Sequence, residues 1–151
     1  MRVRRLATCQ RGVASVEAAI LFPILMLAGF GALDAALLVQ QTHRMEAGLG
    51  AAGSYLAQGE ADTVQQRRAR RIAVTGQGNT KGTPSIRGWT PKQVTITVEE
   101  RAGTAGQFRG SGDVRIATLS ASMPYTGLGL LSGVTGRTLH VTADYQVRLA
   151  R

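Results

Sequence analysis

The hydrophobic pattern changes character twice along this chain. Residues 13–39 are apolar on nearly every side, with Glu17 and Asp34 the only ionisable residues. A helix that is apolar all round is buried in protein or in lipid. Its uncharged core, residues 18–33, spans roughly 24 Å at ~1.5 Å per residue, and extension to Val39 gives roughly 33 Å, enough for a ~30 Å hydrocarbon layer. Few helix breakers follow, so the helix is predicted to continue to about Ala57, with a second helical stretch over residues 60–72. Residues 75–92 are rich in Gly, Thr, Ser and Pro and read as loop. Beyond them the period becomes two. Val94, Ile96 and Val98 alternate with threonines, residues 114–122 form a weaker second strand, and Leu139, Val141, Ala143, Tyr145, Val147 and Leu149 alternate with polar residues.

The expected fold class is therefore α+β. A long N-terminal transmembrane helix (residues 13–39) precedes a helical extension (40–73), a Gly/Pro-rich loop (74–92) and a head (93–151) with about three antiparallel strands. The apolar face of such a sheet needs a cover, and the outer half of the helix is the available one.

Charge sets a direction. The protein has 18 Lys+Arg against 9 Asp+Glu, a net charge of +9. Arg2, Arg4, Arg5 and Arg11, with no acid among them, precede the apolar run, and such a leader holds the N-terminus in the cytoplasm. The head then lies outside, in the periplasm or beyond the cell. An ordinary signal peptide is disfavoured by the length of the run and the lack of a clean small-residue cleavage site after it. A lipoprotein is disfavoured because Cys9 precedes the apolar run. That single cysteine excludes an internal disulfide and a multi-thiolate metal site.

Within this frame, residues 10–24 read Q-R-G-V-A-S-V-E-A-A-I-L-F-P-I. A basic leader ends at Gly12, Glu17 follows five residues later, and Pro23 interrupts the apolar helix. The pattern resembles the class III signal of type IV pilins and pseudopilins. Gly12, Val16, Glu17 and Pro23, together with Met123, Pro124 and Tyr125, the Gly127 to Leu131 loop and the last alternating strand, resemble the TadE-like family of tight-adherence (Flp-type) pilus systems. Two positions depart from the family pattern: Ala18 replaces the usual bulky residue after the acid, and only Tyr55 remains of an aromatic-rich helix end.

The resemblance implies a minor pilin or pseudopilin of the inner membrane, cut by a prepilin peptidase between Gly12 and Val13. Other pilins or pseudopilins, the inner-membrane assembly platform and membrane lipid would be its partners. Glu17 would neutralise the new α-amino group of a neighbouring subunit, since each charge alone is costly in an apolar medium. Pro23 removes one helical hydrogen bond and allows a kink there.

Three other features have candidate roles. Arg67, Arg68, Arg70 and Arg71 form either a solvated helix face or a contact for an anionic surface, such as head groups or an acidic subunit. Leu128, Leu130, Leu131 and Val134 crowd one loop, where they either tuck against the sheet or form a docking patch. G-x-G-x-x-G at residues 48–53 lacks the strand–turn–helix setting of a dinucleotide site, and its small residues are read as permitting close helix packing or a bend. His43 and His140 have no metal-ligand spacing and read as surface residues. No catalytic constellation is found, and no enzyme activity, cofactor or nucleic-acid partner is expected. The alternative functions are an unprocessed single-pass envelope anchor and a basic DNA- or surface-binding head.

Overall fold

The computed structural model describes residues 10–79, 81–101 and 114–149, with side chains from Ala14 onward. Residues 1–9, with Arg2, Arg4, Arg5 and Cys9 of the leader, lie outside the described residues, as do the side chains of Gln10, Arg11 and Val13.

Helix α1 runs from Gln10 to Ala57, 48 residues or roughly 72 Å. It continues through Pro23, which can donate nothing to the carbonyl of Ala19. Its two halves have different surroundings. From residue 14 to residue 33 every side chain is exposed except half-buried Gly31. From Asp34 onward one stripe is covered: Leu38, Thr42, Met45, Leu49, Ala52 and Leu56 recur at alternating steps of four and three. That repeat keeps a narrow seam on one side of a helix. Met45, Leu49, Ala52 and Leu56 are fully buried.

The turn after α1 reverses the chain. Ala61 adopts a left-handed conformation (φ 55°), which no helix tolerates in its interior. Gln65 staples the turn: its Oε1 accepts from the Ala61 N–H at 2.7 Å, and its Nε2 donates to the Tyr55 carbonyl at 3.3 Å. Asp62 then caps α2 (Thr63–Thr75) by accepting from the Gln65 N–H at 2.6 Å. Gly76, at φ 70°, ends α2 by donating to the Ile72 carbonyl. The second helix thus starts and stops three residues later than expected, because the positive φ at Ala61 and the Asp62 cap determine its start.

Strands β1 (Val94–Arg101), β2 (Val114–Pro124) and β3 (His140–Arg148) form an antiparallel sheet in the order β1-β2-β3. Ile96 pairs with Leu119, which pairs with Tyr145, and Met123 pairs with Val141, so the apolar positions of all three strands share one face. α1 packs mainly over β3 and β2, while α2 lies beside α1 and reaches β1. The alternation expected of the last strand is observed in part: Val141, Ala143 and Leu149 are buried and Thr142, Asp144 and Gln146 exposed, whereas Leu139 and Val147 are half-buried and Tyr145 is exposed.

Residues 75–92 contribute more than a connection. Ile86 and Trp89 enter the core, Trp89 at 1% exposure. The Ser85 N–H donates to the Val74 carbonyl and ties this segment back to α2. A turn of 3₁₀ helix, Pro91–Gln93, leads into β1. The leucine-rich loop after β2 likewise contains a helix, α3 (Leu130–Thr135), which rests on α1 and not on the sheet as one reading of the sequence expected.

Candidate functional site: the helix where it leaves the head

The exposed stretch of α1, residues 14–33, is roughly 30 Å long, the thickness of a hydrocarbon layer. Val16, Ile20, Phe22, Ile24, Leu25 and Leu27 on it are each about 60% exposed. The head therefore takes hold of the helix at Asp34, five residues short of the Val39 limit read from hydropathy. Between residues 16 and 33, Glu17 apart, the helix presents mainly apolar surface that the head does not cover.

Asp34 is the last polar residue before that surface, and it is completely buried. Its carboxylate is held by the loop after β2. The Tyr125 hydroxyl donates to Oδ1, the Leu128 N–H donates to Oδ1 at 2.9 Å, and the Leu131 N–H donates to Oδ2 at 2.9 Å. The Tyr125 hydroxyl also lies 2.7 Å from the Asp34 carbonyl oxygen. The arrangement satisfies an ionised group as a buried charge requires, and it satisfies the free N–H of Leu131 in the first turn of α3. Burial, with the carboxylate beside it, pushes the Tyr125 hydroxyl up to about 12. Gly127 permits this closeness, because a Cβ there would strike both the Tyr125 hydroxyl and Asp34.

Asp34 was legible in the sequence as a carboxylate needing a partner, but that partner lies 91 to 97 residues downstream. The signal that could have found it was Tyr125 followed by a Gly-rich turn with free amides. The clamp also explains the leucine-rich loop. Leu130 and Leu131 are half-buried, whereas Leu128 is 52% and Val134 79% exposed at the end of the head that faces the free helix.

The other candidate residues are separate from this clamp. Gly12 and Val13 lie in the first turns of α1. Glu17 is exposed one turn further on, and Pro23 follows within the same free stretch. Arg67 and Arg68 are exposed on α2, and Arg70 and Arg71 half-buried. α2 runs beside α1 between Tyr55 and Gly48, contacts marked by Gln65 and Ala73. That places the arginines roughly 20–35 Å along the helix from Leu33, out of reach of the head groups around this chain's own span. An acidic surface for them would belong to another subunit.

The glycines of residues 48–53 serve packing. A Cβ on Gly48 would strike the Ala73 carbonyl oxygen and touch the Trp89 ring, and one on Gly53 would strike the Tyr145 ring. His43 pairs with Glu46 on the exposed side of α1 at 3.3 Å, and His140 is exposed at the start of β3.

No curated protein and no solved structure matches the chain. One family model does, described as TadE-like protein, over residues 12–53. The matched segment begins at the glycine of the basic leader and ends where α1 lies beneath Tyr145, so it includes the free helix, Glu17, Pro23 and Asp34. Over this segment the chain is similar to the TadE-like family, and the helix the match covers is long and apolar enough to cross a membrane.

Proposed function

We propose that this chain is a minor pilin or pseudopilin that supports assembly of a tight-adherence (Flp-type) pilus. It enters the inner membrane with its N-terminus in the cytoplasm and its head outside. Prepilin peptidase cuts between Gly12 and Val13, leaving Glu17 as the fifth residue of the mature chain. The observation that carries this reading is the family match starting at Gly12 on a helix whose next 20 or so residues are apolar and uncovered by the head.

Glu17 supports the assembly step. It is exposed on the free helix, so a neighbouring helix can bring its terminal ammonium alongside. The two charges offset each other's cost only when paired, which favours helices packed in one register. Asp34 does no comparable work, because its own head already supplies all the donors it meets.

Intact-mass measurement of the protein from cells containing a prepilin peptidase tests the processing step. The expected N-terminus is Val13, with Gly12→Ala leaving the full-length chain. A wild-type protein that still begins at Met1 in those cells refutes the proposal.

A further inference from the structure

Just outside the span, the head and α1 enclose a groove of about 590 Å³. Leu37, Gln41 and Arg44 line it from α1, Ile86 and Arg87 from the segment before β1, and Thr126 from the loop that clamps Asp34. We propose that this groove binds the head group of a membrane phospholipid, its phosphodiester between Arg44 and Arg87. The inference rests on the membrane-anchored reading of α1.

Position comes first. Leu37 to Arg44 lie four to eleven residues beyond Leu33, or roughly 6–16 Å along the axis. A bilayer's polar layer occupies roughly the first 5–8 Å outside the hydrocarbon. Side chains on a helix lean toward its N-terminus, here toward the bilayer, so the Leu37 end of the groove lies in that layer and the Arg44 guanidinium leans back toward it.

Chemistry comes second. Arg44 and Arg87 are both exposed, and neither forms an ion pair with a carboxylate among the described residues. Two guanidiniums without a carboxylate partner, brought to one groove by different segments, suit a phosphodiester, whose oxygens accept forked hydrogen bonds.

The third observation concerns Gln41. Its Nε2 donates to the Thr126 carbonyl and hydroxyl oxygens, both at 3.3 Å, which aims Oε1 the other way. That Oε1 is buried and has no partner. A buried acceptor is satisfied by a donor, and the ammonium of ethanolamine or a hydroxyl of glycerol supplies one beside the phosphate. The quaternary ammonium of choline does not. The apolar part of the lipid has a path as well. Leu37 lines the groove, and Leu128, 52% exposed, follows Thr126 and Gly127 toward the uncovered helix.

The test uses the full chain in nanodiscs, extracted gently and weighed by native mass spectrometry. Phosphatidylethanolamine, phosphatidylglycerol, phosphatidylcholine and inorganic phosphate are the probes. Wild type is expected to retain one phosphatidylethanolamine or phosphatidylglycerol at least tenfold better than phosphatidylcholine. Arg44→Gln with Arg87→Gln is expected to lower retention at least tenfold, and Gln41→Leu to remove the discrimination against choline. Both arginines are exposed, and unchanged Trp89 emission would show that the head of the double variant is folded. Retention by the double variant equal to wild type overturns the proposal. So does complete displacement of lipid by millimolar inorganic phosphate, which would make this a free-anion site. Flotation with liposomes reads the anchor separately: a chain that fails to float refutes the membrane reading, whereas one that floats but holds no lipid refutes only the groove.

Discussion

Replacing each glycine of residues 48–53 by alanine should shift stability in directions that helix propensity alone does not predict. All three glycines lie inside α1, where alanine is favoured over glycine by about 0.8–1.0 kcal/mol. The surroundings then decide. At Gly50 a Cβ would sit 3.7 Å from the Tyr145 ring, an ordinary contact, so Gly50→Ala keeps the gain and stabilises by about 0.5–1 kcal/mol. At Gly48 the Cβ meets the backbone oxygen of Ala73, which cannot move without displacing α2, and lies 3.0 Å from the Trp89 ring. Overpacking of this kind costs about 1–3 kcal/mol, so after the propensity gain Gly48→Ala is expected to lose up to about 2 kcal/mol net. At Gly53 the obstacle is the Tyr145 ring, 2.6 Å away but 37% exposed and able to swing, so Gly53→Ala falls between the other two. Thermal unfolding of the full chain in detergent gives the ranking. Trp89 is the only tryptophan and is buried between these elements, so its fluorescence reports the head directly. A Gly48→Ala protein as stable as Gly50→Ala would refute the close α1–α2 packing described above.

Three further outcomes follow from the clamp and the free helix. Asp34→Leu removes the acceptor for two backbone amides, so hydrogen exchange at Leu128 and Leu131 should accelerate by an order of magnitude or more, while β3 amides keep their protection. Alkaline titration followed by tyrosinate absorbance should show one step near 12 that disappears in Tyr125→Phe. Because the folded chain then holds a proton that the unfolded chain releases near 10, stability should be intact below pH ~10 and fall as pH rises toward 12. Glu17→Gln should leave processing and the fold of the head unchanged yet lower incorporation into pili, and wild-type levels of assembly would remove the charge-pairing role of this residue.

The sequence by itself determined the elements whose signal is local. An unbroken apolar run can only be covered by lipid or protein, and strict alternation over residues 139–149 can only bury one face of a strand, so the span, the strands and the α+β class were legible. So was the start of the TadE-like match, because Gly12, Glu17 and Pro23 sit at fixed offsets along one helix. Tertiary structure decided what joins distant segments. Trp89 and Ile86 sit in a Gly-, Ser- and Pro-rich stretch with no period to mark them as core, and only the space between α1 and α2 draws them in. The limit of the free helix depends on Tyr125 and the amides of Leu128 and Leu131 reaching Asp34, a pairing set by how the sheet lies across α1 and invisible to any hydropathy window. The groove beside it takes its walls from three separate segments, so its two arginines become neighbours in function only after the head has folded onto the helix.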